Sequence, residues 1–303
     1  MLSEKRWKLD ALMRLLVRVF VCIFAGSVIF SGFQVLRGGG KINFWFFPVA
    51  AAALGFLGLT LMVIRKPWVL ESFVRRLVLL LVCFYAGFFL CAWAQKLAGD
   101  SHPSVAQMLV ATLSFQGAAL VLVGRFLREQ ELSWAEAFGF SNHTLNALLA
   151  GVIVACVFFP GGIQLQKFSG NMLMRLTKAA PEEQQSVQAL RGAVSWVQRT
   201  ALALVTILLA PIAEEILFRG ILYQGIKQAG FPRVALWGTS LLFAGVHMNL
   251  PTFLPLFALA LVLALLYERT NNLLAPITAH SCFNAMNFVM FYFIQRFAAP
   301  GLS

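Results

Sequence analysis

The stretch "APIAEEILFRG", residues 210–220, sets two adjacent glutamates and an arginine in an otherwise apolar run. Two further polar sets follow, "FAGVH" (Phe243 to His247) and "HSCFN" (His280 to Asn284). In each of these two, the end residues are four apart and share one face of a helix. A carboxylate, two imidazoles and a carboxamide gathered at one point are suited to hydrolysis. A glutamate in an apolar pocket is a better base near neutral pH and can activate water. His280 and Asn284 can donate hydrogen bonds to the oxyanion that forms when water adds to an amide carbonyl. At about 100° per residue, Glu215 and Arg219 lie about 40° apart around a helix, whereas Glu214 and Arg219 lie about 140° apart. Glu215 is thus the better-placed ion-pair partner, and Glu214 is free to face a pocket with His247.

Each set also has a bland reading. A lone membrane histidine such as His247 often serves only as a hydrogen-bond partner between helices, and Glu215 with Arg219 is the ordinary spacing of a structural ion pair. The elements that carry the residues favour a joint site. If one helix ends near Gln228 and the next begins near Pro232, Glu214 lies about 21 Å before the turn and His247 about 22 Å after it. His280 and Asn284 lie about 10 to 17 Å into the last helix. Pro211, one turn before the glutamates, leaves the carbonyl of Ile207 without its helical partner and predicts a bend at the site.

These helices belong in a membrane. A mean hydropathy of +0.80, 29 Phe and 7 Trp exceed what one soluble core of 303 residues can bury. Apolar runs long enough to cross a bilayer, which takes about 20 residues, recur at 15–36, 44–64, 77–95, 105–127, 146–164, 198–228, 233–249, 252–268 and 273–296. The segment 252–268 reads as the one that is short enough to be re-entrant. The expected fold is all-α, a polytopic transmembrane helix bundle of about eight or nine spans. Ionisable groups at bilayer depth each cost roughly 2.5 to 3.5 kcal/mol on insertion scales, so the three polar sets are functional candidates.

The basic head and apolar run at the N-terminus read as a signal-anchor, not a cleaved leader. With that end cytoplasmic, Lys5, Arg6, Lys8, Arg14, Arg65, Lys66, Arg75, Arg76, Arg125, Arg128, Lys227 and Arg233 fall inside, in line with the positive-inside rule. The basic residues of 165–197 are its main conflict. That stretch is expected to be a loop carrying an amphipathic helix that starts at Pro181, Glu182 and Glu183 and presents Val187, Leu190, Val194 and Val197. Residues 1–145 are taken as N-terminal transmembrane helices and 146–303 as the catalytic region. The net charge of +12 is dispersed over loops and matches anionic lipid headgroups, with no aromatic-interleaved basic face for nucleic acid. Five scattered cysteines supply neither a disulfide framework nor a zinc spacing.

The motifs "EEILFR", "FAGVH" and "HSCFN", in that order in the last helices, resemble the three motifs of the CAAX protease and bacteriocin-processing family, also called Abi-like. The resemblance covers roughly residues 195–297. It implies an intramembrane endopeptidase of the type II CAAX prenyl endopeptidase kind, in which Glu214 activates water, His247 positions it, and His280 with Asn284 forms the oxyanion site. Glu215, Arg219 and Phe243 would support them. The family is described both as metalloendopeptidase and as glutamate-dependent. No "HExxH" is present, so no cofactor is favoured; zinc, held by Glu214, His247 and His280, is the alternative. A non-catalytic membrane scaffold acting on a signalling partner, or a transporter with a midplane ionisable site, are the competing classes. The expected partners are a peptide or protein substrate at the membrane and the lipid bilayer, and the expected location is a bacterial inner (plasma) membrane.

Overall fold

A computed structural model describes residues 7, 11–19, 21–22, 51, 105–178, 184–247 and 249–297. Most of the expected span 15–36, all but residue 51 of 44–64 and the whole of 77–95 lie outside these residues, as does the helix start expected at 181–183. The chain divides into two compact units, Trp7–Gln130 and the residues from Glu131 on. Phe138 and Asn142 are tied to the second unit by bonds from Leu273 and Asn272. The described residues are helix, turn, bend or irregular, with no strand among them.

In the first unit, residues 11–19 are helical and helix α1 spans Val105–Glu129. Trp7 packs on Phe126 with ring centroids 5.3 Å apart, and Arg125 and Arg18 both approach the Glu129 carboxylate.

The second unit carries the three motifs. Helix α2 (Trp134–Phe138) is closed by a Ser133/Glu136 capping box and by Gly139 in the left-handed conformation. Helix α3 (Thr144–Thr177), α4 (Gln185–Gly192), α5 (Trp196–Gln228), α6 (Pro232–Val246), α7 (Leu250–Thr270) and α8 (Leu274–Phe297) follow. Three of them, α3, α5 and α7, are long and apolar enough to cross a membrane.

Helix α3 shows how the bundle suits lipid. It buries Ala147, Gly151, Ala155, Gly162 and Ser169 and exposes Leu145, Leu149, Val152, Ile153 and Val157. That is the inverse of a soluble amphipathic helix, because in lipid the apolar side chains gain nothing by hiding and small residues let backbones approach. A Cβ at Gly151 would stand 2.6 Å from Ala275 O and 2.8 Å from Thr278 Cβ, so α3 and α8 meet there nearly backbone to backbone. Just beyond this crossing, Leu273 N–H donates to Phe138 O at 3.0 Å and Asn272 Nδ2 to Asn142 O at 2.6 Å. These bonds fix where α7 turns into α8, and therefore the height of His280.

Three sequence expectations change. Helix α3 runs on to Thr177 instead of ending near 164, so the first third of the expected 165–197 loop is helix. The amphipathic pattern does not form one face, because α4 stops at Gly192 and Ser195 caps a new helix with Gln198. Val194 is 88% exposed as a result. The short element is α6, not the segment at 252–268: α6 has 15 residues against 21 in α7, and roughly 20 are needed to span.

Candidate functional site

Helix α5 departs from α-helical winding at Val205–Leu209 and again at Ile216–Tyr223, where it adopts the π register, with Ala210–Glu215 as an α-helical segment between them. π turns hold an extra residue per turn and are frequent at functional sites. The two glutamates sit at the junction of the second. Glu215 is fully buried and Arg219 nearly so, at 0% and 2% side-chain exposure. Arg219 Nη1 donates to Glu215 Oε1 at 2.7 Å, and its Nη2 donates to Ala260 O on α7 at 3.2 Å. The guanidinium also lies 4.5 Å from the centroid of the Phe243 ring on α6. One arginine thus joins three helices, with a charge partner, a carbonyl and an aromatic face.

The same Glu215 oxygen takes a second donor. His280 Nδ1 lies 2.9 Å from Glu215 Oε1, and because a carboxylate only accepts, that ring nitrogen carries the hydrogen. His280 Nε2 is then the nitrogen turned toward Glu214, 3.9 Å from its Oε2 and beyond hydrogen-bond length. Glu214 is 19% exposed. Of two neighbouring carboxylates, one is buried and holds two donors on one oxygen, while the other is partly exposed.

His247 ends α6. Its Nδ1 bonds the Phe243 carbonyl at 2.7 Å, which fixes the hydrogen on Nδ1 and leaves Nε2 as the acceptor of the ring. Phe243 is fully buried and packs on Phe218, His247 and His280 at centroid distances of 5.1, 4.9 and 5.6 Å. It is the apolar hub that sets both imidazole planes. Asn284, one turn after His280 on α8, donates from Nδ2 to Thr206 O at 2.9 Å. Residues from α5, α6 and α8 are therefore brought together around Phe243, with Asn284 anchored on the first π turn of α5.

Several contributors were not singled out in the sequence. Ala260 enters through its carbonyl alone, which no side-chain pattern reveals. Gly220 admits Phe138, since a Cβ there would stand 2.6 Å from the ring. The free carbonyl expected at Ile207 is replaced by Thr206, because the π register shifts the pairing by one residue. Glu215 Oε2 is buried without a protein hydrogen-bond partner, the kind of site an ordered water serves.

Among the described residues no group of three or more His, Cys, Asp or Glu is arranged to hold a metal ion. His280 and His247 each bond an oxygen through Nδ1, which leaves Nε2 as the nitrogen that could meet a further ligand.

Residues 196–286 match the family model described as type II CAAX prenyl endopeptidase Rce1-like. The matched stretch opens at the start of α5 and closes just after Asn284, so it contains all three motifs. A relative in Bacillus subtilis (strain 168), named uncharacterized protein YpbD, is 37% identical over 83 residues, which is 26% of this chain and 40% of that protein. The chain thus spans well under half the length of the curated relative it matches. No solved structure matches the chain. The motif resemblance is met by the family match, and the chain is an integral membrane protein with a CAAX-protease-like C-terminal region.

Proposed function

We propose that the chain is an intramembrane endopeptidase that hydrolyses a peptide bond near the membrane surface. The observation that supports this reading best is the division of labour between adjacent glutamates. Glu215 is consumed by Arg219 and His280, whereas Glu214 stands partly exposed beside His280 Nε2. In the proposed reaction Glu214 takes a proton from a water held with His247 Nε2. The water oxygen bonds to the scissile carbonyl carbon, and the carbonyl oxygen gains the electron pair. Asn284 Nδ2–H donates to that oxyanion, and His280 joins it from Nε2 when its ring carries a hydrogen on both nitrogens. Collapse re-forms the carbonyl, breaks the C–N bond, and returns the Glu214 proton to the leaving amine. Each proton is accounted for by this chain's own groups, and no step is routed through zinc.

The substrate class proposed is a peptide or protein at the bilayer surface, with prenylated C-terminal peptides as the first probe on the strength of the family match. The proposed setting is a bacterial inner membrane with the N-terminus cytoplasmic. Purified full-length protein in liposomes is expected to cleave such a peptide, or members of a broader peptide library, and Glu214→Gln is expected to abolish the cleavage. Chelation is expected to leave turnover unchanged; stoichiometric zinc whose removal stops cleavage and whose return restores it would sink the metal-free mechanism. No cleavage of any peptide, with a signalling partner's response intact in Glu214→Gln cells, would instead identify a scaffold.

A further inference from the structure

In the first π turn of α5, Ala210 N–H donates to Val205 O. The next carbonyl in that register is Thr206 O, and its partner would be the N–H of residue 211. Residue 211 is proline, which has none. The carbonyl is taken instead by Asn284 Nδ2 from α8 at 2.9 Å. Because a carbonyl only accepts, this contact decides which end of the carboxamide faces α5: the nitrogen points to Thr206 and the oxygen away. One Asn284 N–H is spent on the backbone, and the other is held in a fixed direction by the planarity of the amide. His280, one turn earlier on α8, is fixed to α5 in parallel through Glu215. The two polar residues of α8 are therefore anchored on either side of Pro211, one to the residue five before it and one to the residue four after it.

We propose that Pro211 is a positioning residue for Asn284. By withholding the N–H that would satisfy Thr206 O, it reserves that carbonyl for the Asn284 side chain, and so aims the remaining Asn284 N–H at the reacting carbonyl of the substrate. The inference rests on the hydrolytic role proposed for Asn284. A proline that merely bends α5 would act without reference to Asn284, and this difference can be measured.

The test is a double-mutant cycle in the full-length protein, using Pro211→Ala, Asn284→Ala and the pair. Alanine supplies the missing N–H and is the better helix former, so folding is not at risk. With a farnesylated C-terminal peptide as probe, Pro211→Ala is expected to lower kcat about tenfold with KM unchanged, Asn284→Ala about a hundredfold, and the pair no more than Asn284→Ala alone. Losses that multiply would overturn the proposal. Thermal melting provides a second arm that needs no substrate. Asn284→Ala should lower Tm when residue 211 is proline, because Thr206 O is then orphaned, and should change it little when residue 211 is alanine. A chain that cleaves nothing yet shows this coupled melting keeps the Pro211 to Asn284 device and loses the hydrolytic reading. Equal Tm losses in both backgrounds would remove the device itself.

Discussion

Glu215 Oε1 receives both Arg219 and His280, and the consequences of losing each participant differ in kind. Removing one member of a buried ion pair strands the other charge and typically costs about 3 to 5 kcal/mol. Glu215→Gln and Arg219→Ala are therefore expected to melt well below the parent and to lose cleavage as a result. Glu214 carries no such pairing, so Glu214→Gln should melt within about 0.5 kcal/mol of the parent while cleavage disappears. Melting and peptide cleavage measured on the three variants decide the assignment; a stable, inactive Glu215→Gln protein would reverse it. Arg219→Lys is a finer probe. Lysine keeps the charge but lacks the fork that reaches Glu215 and Ala260 O together while lying on Phe243. Its expected melting point lies between those of the parent and Arg219→Ala.

At the scale of elements, the site depends on how closely α3 and α8 approach, because α8 carries His280 and Asn284. A side chain at Gly151 meets Ala275 O and Thr278 Cβ at separations no real Cβ shows, and its nearest neighbours are mainly backbone that cannot move aside. Gly151→Leu is expected to push α8 from α5, destabilise the protein by about 1 to 3 kcal/mol or more, and weaken cleavage by separating His280 from Glu215. Gly161 on the same helix meets nothing within 4 Å, so Gly161→Leu is the matched control and should melt like the parent. Equal melting of the two variants would show that the close crossing is dispensable. The short α6 belongs to the same argument: it ends at Val246, which leaves His247 at the end of a helix with its ring bonded back to Phe243 O instead of buried inside a span.

At the scale of the whole molecule, the apolar exterior of α3, together with α5 and α7, predicts that alkaline carbonate will not release the protein from membranes. Release into the supernatant would contradict an integral protein. The dispersed charge of +12 predicts stronger retention of flanking segments on vesicles containing anionic lipid than on zwitterionic ones, an effect that should fade as salt rises. Accessibility labelling of Lys227 and Arg233 against the medium on either side tests the proposed cytoplasmic placement of the α5 to α6 turn.

The all-helical class, the last helices to within a few residues and the three polar sets were legible in the sequence, because hydropathy, helical spacing and the cost of charge in lipid are local properties of a chain. The neighbourhood of Glu215 and Arg219 was legible for the same reason: four residues of helix bring them together whatever else the chain does. The length of α3 was misread because its polar last turns look like a loop, and the helix is continued there by local hydrogen bonds that carry no apolar signal. The break between α4 and α5 was missed because Ser195 and Gln198 close a capping box inside what reads as one amphipathic period. Helical spacing also ranked Glu215 above Glu214 as the partner of Arg219, but the contacts that join the site residues of different helices came from tertiary structure. That His280 shares an oxygen with Arg219, that Phe243 lies against the guanidinium and both imidazoles, and that Asn284 answers a carbonyl orphaned by Pro211 depend on the π register of α5 and on the height at which the bonds from Asn272 and Leu273 fix α8. Those are contacts between residues far apart in the chain, set by packing, and no window of sequence contains both partners.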